Sequence, residues 1–138
     1  MPSTLPNTQL THMDKENVVV AKVLADLHRF RLSLGDSHVK TGEAWNSLGL
    51  IRMHMQQTPT EAKTCFEEAL RIFQKNDDRT SIAITLNDMG NCLERLHQHD
   101  AAYDAYNKAQ EILQNEKFSE SHPRLIATQR SMARLCRR

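Results

Sequence analysis

Residues 41–49 read TGEAWNSLG, and residues 82–90 read IAITLNDMG. Each stretch ends in glycine, at Gly49 and Gly90, with asparagine three places earlier, at Asn46 and Asn87. A large apolar residue, Trp45 or Leu86, stands one place before that. A chain that repeats itself at an offset of 41 residues is built from one supersecondary unit used more than once, because such a unit buries its apolar face only against a neighbour like itself. The unit is legible further on. At an offset of 40, Ala62 falls on Ala102, Phe66 on Tyr106, Ala69 on Ala109 and Ile72 on Ile112.

Apolar spacing makes the unit a pair of helices. Steps of three and four run through Val20, Val23, Leu24, Leu27, Phe30 and Leu34, which gives a first helix over 18–34 closed by Gly35. The second runs over about 39–56 with Ala44, Trp45, Leu48, Ile51 and Met55 on one side, and Asp36 or Ser37 is placed to cap it. Thr58, Pro59 and Glu61 read as a capping box with proline at the first helical position, opening a third helix that stops near Asn76. A fourth helix over 79–97 carries Ile82, Leu86, Met89, Gly90, Leu93 and Leu96. Asp100 is the expected cap of a fifth, which runs to about Asn115, and Pro123 opens a sixth. Only four glycines and four prolines in 138 residues suit this all-α reading, and the one β-branched run, Val18 to Val20, leads into a helical pattern. Small residues at Gly49, Gly90, Ala62, Ala69, Ala102 and Ala109 let helices approach closely, with bulky neighbours filling the grooves beside them. Trp45→Ala is expected to cost about 3–5 kcal/mol.

The pattern resembles the tetratricopeptide repeat. Leu86, Met89, Gly90, Leu93, Ala102, Tyr106 and Ala109 sit at that family's large-Leu-Gly-aromatic and Ala-aromatic-Ala positions. The period near 41 exceeds the family's usual 34 and is similar to the longer repeats of kinesin light chains. Their linkers resemble LGDSHVKTGEAWNSLG at 34–49, DDRTSIAITLNDMG at 77–90 and SESHPRLIATQRSMA at 119–133. Val39, Gln129 and Arg130 depart from that linker pattern. The resemblance implies an α-solenoid of about six antiparallel helices in a right-handed superhelix. Its organisation is a flexible tail over 1–17 and a single domain over 18–138. Within the domain lie a partial leading repeat at 18–38, repeats at 39–77 and 78–117, and a capping helix at 118–138.

In such a stack the first helix of each pair lines a concave groove. The register puts Glu43, Asn46, Ser47, Leu50 and His54 there from one pair, and Ile84, Asn87, Asp88, Asn91 and Arg95 from the next. The last helix adds Arg130, Ser131, Arg134 and Arg138. Asparagine offers both a donor and an acceptor, so an asparagine ladder can hold the backbone of an extended peptide whatever its sequence. Residues 117–138 hold six cations and one anion within a chain of net charge +1, and Arg130 and Arg134 share a helix face. Such a face can take carboxylates bidentately, which points to an acidic segment of another protein, or it can be a solvated helix end. Residues 119–138 contain no aromatic, which argues against RNA, where bases stack on rings.

No phosphate loop or nucleophile–base spacing points to catalysis, so the chain reads as no enzyme, with no cofactor. His97, His99 and Asp100 fall short of a metal site with its full ligand set, and none is expected. His38 and His122 recur at one repeat position and read as linker packing. Cys65, Cys92 and Cys136 are odd in number and far apart, which suits a reducing, cytoplasmic setting, and no apolar run is long enough for a membrane. The first reading is therefore a protein-binding scaffold. The second is an assembly protein that pairs with its own copies, and nucleic-acid binding through the basic last helix comes third.

Overall fold

The computed structural model describes residues 12–116 and 121–136, with side chains from residue 17 onward. Six helices follow one another: α1 at His12–Leu34, α2 at Val39–His54, α3 at Pro59–Lys75, α4 at Arg79–Arg95, α5 at His99–Asn115 and α6 at Pro123–Cys136. No strand occurs among the described residues. Each helix packs chiefly on the next in sequence, which is the contact pattern of a solenoid of helical hairpins. Helices α2, α4 and α6 form one layer, tied by bonds from α2 to α4 and from α4 to α6.

The small residues do what the repeat requires of them. A methyl group at Gly49 would lie 2.6 Å from the Phe66 ring, and one at Gly90 would lie 2.5 Å from the Tyr106 ring. Each hairpin thus seats an aromatic edge against a glycine of the facing helix, at equivalent positions. Ala62, Ala69, Ala102 and Ala109 are fully buried on the other side of the same contacts. Met53, Phe66, Met89, Cys92, Leu93 and Tyr106 form the largest apolar cluster, which spans both hairpins and is closed by Leu135 of α6.

Several local expectations change. Helix α1 begins at His12, so residues 12–17, read as tail, belong to a helix, and residues 1–11 lie outside the described residues. Thr58 stands at the N-cap position of α3 but makes no side-chain cap; its hydroxyl donates to the Arg52 carbonyl at 3.1 Å, and Glu61 faces Arg52 at 3.5 Å. The capping box is replaced by a tie back to the end of α2. Asp100 lies inside the first turn of α5, where its charge favours the helix N-terminus, and Gln98 takes the cap position. The cap of α2 is neither Asp36 nor Ser37: Nδ1 of His38 accepts the Lys40 N–H at 3.1 Å, while Asp36 pairs with Arg31 at 2.7 Å. His122 repeats that role at α6, accepting from Arg124 N at 3.2 Å, so the recurrent histidines are helix caps. Asp78 caps α4 through the Ser81 N–H.

The turns after α1 to α4 each contain one residue with positive φ: Gly35, Gln57, Asp77 and His97. Asp78 N bonds Phe73 O, and Gln98 N bonds Leu93 O, each five residues back, as in a Schellman closure with a non-glycine in the left-handed position. Trp45 is half-buried, not central. It lies between α1 and α3 above an open groove of about 560 Å³ lined also by Leu24, Arg31, Leu48 and Arg52. A side chain with one face in that groove does not carry the full core cost expected for Trp45→Ala.

Candidate functional site

The face formed by α2, α4 and α6 carries the residues expected to line the groove. On α2, Glu43, Ser47 and His54 are exposed, and Asn46 and Leu50 are half-buried. The helical period sets them opposite Trp45, Leu48 and Arg52, which look toward α1 and α3. On α4, Asn87, Asp88 and Asn91 are half-buried and Arg95 is exposed. On α6, Arg130 and Arg134 are exposed. Arg138 lies outside the described residues.

These side chains are not equally free. Nδ2 of Asn46 donates to the Asp88 carboxylate at 3.3 Å, linking α2 to α4. Arg95 donates to the Met53 carbonyl near the C-terminus of α2 at 2.8 Å, a cation placed where the helix dipole favours it. Oδ1 of Asn87 accepts from the Thr128 hydroxyl at 2.9 Å, linking α4 to α6. Arg134 forms an ion pair with Glu94, and Glu94 is nearly covered. The sequence reading left Arg134 open to a partner's carboxylate; the structure spends it on Glu94, forty positions away. Arg130 and Ser47 make no bond to other described residues.

Tyr106 stands behind this face. Its ring is fully buried against Gly90, and its hydroxyl emerges between Asn91 and Glu94 of α4, 2.6 Å from the Glu94 carboxylate. A phenol has one proton, and the carboxylate is the stronger acceptor. Asn91 Oδ1 lies 2.5 Å from the same phenol oxygen, so Asn91 and Glu94 compete for its single proton. Burial and the Glu94 carboxylate raise the phenol well above its ordinary value, while a bond from Ser131 and the charge of Arg134 act the other way. The hydroxyl stays protonated at any physiological pH. His54, Asn91, Glu94, Arg95 and Arg134 rim a polar recess of about 250 Å³ at this end of the face.

At the other end, Glu43, Asn46, Ser47, Ser81, Ile84 and Thr85 line a recess of about 270 Å³ floored by Phe73. Asp88 accepts from Asn46 of this lining, and burial pushes that carboxyl up to about 6, against the lowering by the Asn46 amide and the charge of Arg124. Two features here escaped the sequence reading. Glu94 was unremarkable in sequence, and Thr85 was assigned no role. Glu94 gains its significance from Arg134, forty positions along the chain, and Thr85 from a buried hydroxyl without a hydrogen-bond partner.

No group of three histidine, cysteine or acidic residues among the described residues is placed to hold a metal ion. His97 and His99 stand edge to face, with ring centroids 6.1 Å apart. Cys65 and Cys92 are buried in the core, and burial raises both thiols. No described helix is long and apolar enough to cross a membrane.

A family model described as Tetratricopeptide repeat matches residues 40–115 and again residues 81–138. Together the two matches cover well over half of the chain, and the chain belongs to the tetratricopeptide repeat family. Repeats of this family generally mediate protein–protein interaction and are generally non-catalytic. No curated protein matches the chain significantly.

Proposed function

We propose that this tetratricopeptide-repeat chain is a non-catalytic scaffold module that holds an extended segment of a partner protein along the α2–α4–α6 face. The carrying observation is a line of unspent donors across three helices: the Ser47 hydroxyl, the Asn87 amide nitrogen and the Arg130 guanidinium have no bond to other described residues. An extended segment brings a row of carbonyl oxygens that need such donors, and amides and hydroxyls serve them without reading sequence. Preference for an acidic residue belongs at the α6 end, where Arg130 is free. The long repeat period supports a place among kinesin-light-chain-type repeats, and three unpaired cysteines suit a reducing cytoplasm.

The test is a random peptide library displayed on phage and panned against the chain, with Ser47→Arg and Arg130→Glu as variants. Both side chains are exposed, so neither change disturbs the fold. Selected peptides should lose most of their affinity for each variant while helical content is unchanged. Peptides that bind both variants as tightly as the wild type would remove the assignment.

A second reading rests on α1. Val18 is 61 % and Leu32 75 % exposed, and Leu24 and Leu34 also show apolar surface. Such a face favours association with another copy. Mass measured across concentration separates the two: a tight dimer that no longer binds selected peptides favours assembly. The basic α6 makes nucleic acid the third reading, and absence of RNA retention at low salt removes it.

A further inference from the structure

The α2–α4–α6 face repeats from helix to helix, and one of its rows is uneven. Ser47, Asp88 and Ser131 occupy equivalent positions on α2, α4 and α6. The outer two carry a hydroxyl, and the middle one carries a carboxyl. The exchange is felt in the packing. At the α4–α6 junction, where Ser131 stands, the Thr128 hydroxyl lies 2.9 Å from Oδ1 of Asn87. At the α2–α4 junction, where Asp88 stands, Asn46 gives its amide nitrogen to Oδ2 of the carboxylate at 3.3 Å. Asn46 Oδ1 and the Thr85 hydroxyl, the equivalents of the closed pair, are then buried without a hydrogen-bond partner. The other oxygen of Asp88, Oδ1, bonds no other described residue and stays in contact with solvent on the face.

An extended segment brings carbonyl oxygens to this face. An ionised carboxylate only accepts, so Asp88 meets those oxygens with an acceptor and with charge of the same sign as theirs. A protonated carboxyl carries an O–H and offers from α4 what Ser47 offers from α2. We propose that Asp88 is a proton-gated position of the binding face: the chain holds its segment more tightly when the Asp88 carboxyl is protonated and donates through Oδ1 to a carbonyl of the segment. This regulation rests on the reading of the α2–α4–α6 face as the binding face. Burial brings the gate into range, lifting the carboxyl to about 6 from an ordinary 3.8. The Asn46 amide of α2 and the Arg124 cation of α6 act the other way. Glu43, one turn before Asn46 on α2, is exposed, and α3 and α5 bring no charge to Asp88. A carbonyl against Oδ1 takes water from the acid and accepts from its O–H, which raises the carboxyl further. The bound chain then keeps the proton to higher pH than the free chain. Affinity is therefore full below about pH 5, falls as pH rises through about 6, and levels off above the bound value.

Peptides without histidine, selected from the displayed library at mildly acid pH, supply the probe. Titration calorimetry near pH 5 and near pH 8 gives the affinities, and two buffers of different ionisation enthalpy near pH 6.5 count the protons. Wild-type affinity should be about tenfold weaker near pH 8 than near pH 5, with uptake of roughly half a proton near pH 6.5. Asp88→Asn carries an amide donor at every pH, so near pH 8 it should bind about as tightly as the wild type near pH 5, without that uptake. The difference between the two proteins removes what His54 and other titrating groups contribute. Wild-type affinity that does not fall with pH, or proton uptake equal in the two proteins, with binding still sensitive to Ser47→Arg and Arg130→Glu, overturns the gate and leaves the face intact. Binding insensitive to Ser47→Arg and Arg130→Glu overturns the face itself, and the gate with it.

Discussion

Asp88→Asn isolates the energetic cost that the α2–α4 junction carries. The wild-type carboxyl sits at about 6 in the folded chain against an ordinary 3.8, chiefly because burial disfavours its charge. An acid whose folded value is raised binds more protons folded than unfolded across the interval between the two. Its contribution to stability therefore falls as pH rises from about 4 to about 6, and above 6 the full penalty stands. Two pH units correspond to roughly 3 kcal/mol, an upper figure for a group that keeps some contact with solvent. Asparagine keeps an oxygen for the Asn46 amide at 3.3 Å and carries no charge to desolvate. Urea unfolding followed by circular dichroism at several pH values gives the comparison directly. Near pH 8 the variant should be more stable by about 2–3 kcal/mol. Near pH 4 the two proteins should converge. Subtracting one curve from the other removes every other titrating group. A difference that stays flat with pH, or a variant less stable near pH 8, would refute the view of Asp88 as a buried charge with too little compensation.

Further outcomes follow from the repeat. Thr128→Val should cost about 1–2 kcal/mol because it leaves Asn87 Oδ1 unserved, whereas Thr85→Val should be neutral or stabilising because its hydroxyl has no partner to lose; equilibrium unfolding of both variants checks the contrast. Gly90→Ala should cost about 1–3 kcal/mol despite alanine's better helix propensity, since its methyl would press on the Tyr106 ring, and thermal unfolding reads the loss. His97→Gly should raise the unfolding midpoint by relieving about 1 kcal/mol of left-handed strain, whereas an unchanged or lower midpoint would show the turn is not strained.

The sequence made the hairpins legible because the features that define them are local or periodic. The glycine–aromatic seats at Gly49 and Gly90 followed from alignment of the two copies, and helices α2 to α5 begin and end close to where apolar spacing placed them. The start of α1 was missed because Asp14 to Asn17 carry no apolar residue to reveal a stripe. Caps were misread at Thr58 and His38 for a different reason. A side chain chooses among several backbone groups, and the choice at Thr58 was settled by Arg52 on the preceding helix. For the candidate site, helical register assigned residues to the α2–α4–α6 face. It could not reveal which of them were already engaged. Arg134 meets Glu94 across forty residues, and Asn46 leaves Thr85 for Asp88 across forty-two, and no spacing rule reports such pairings. Trp45 read as core because its position is apolar in both copies, yet the open groove between α1 and α3 leaves it half-covered.

The proposed binding face is carried by the first helix of each hairpin and by α6. Chemical-shift mapping on the isotope-labelled chain, titrated with a peptide selected from the displayed library, tests it most directly. Saturable shifts should concentrate at Asn46, Ser47, Asn87, Asn91 and Arg130, with the indole of Trp45 still. Shifts centred on Trp45, Leu24 and Arg31 would place the partner in the opposite groove and contradict it.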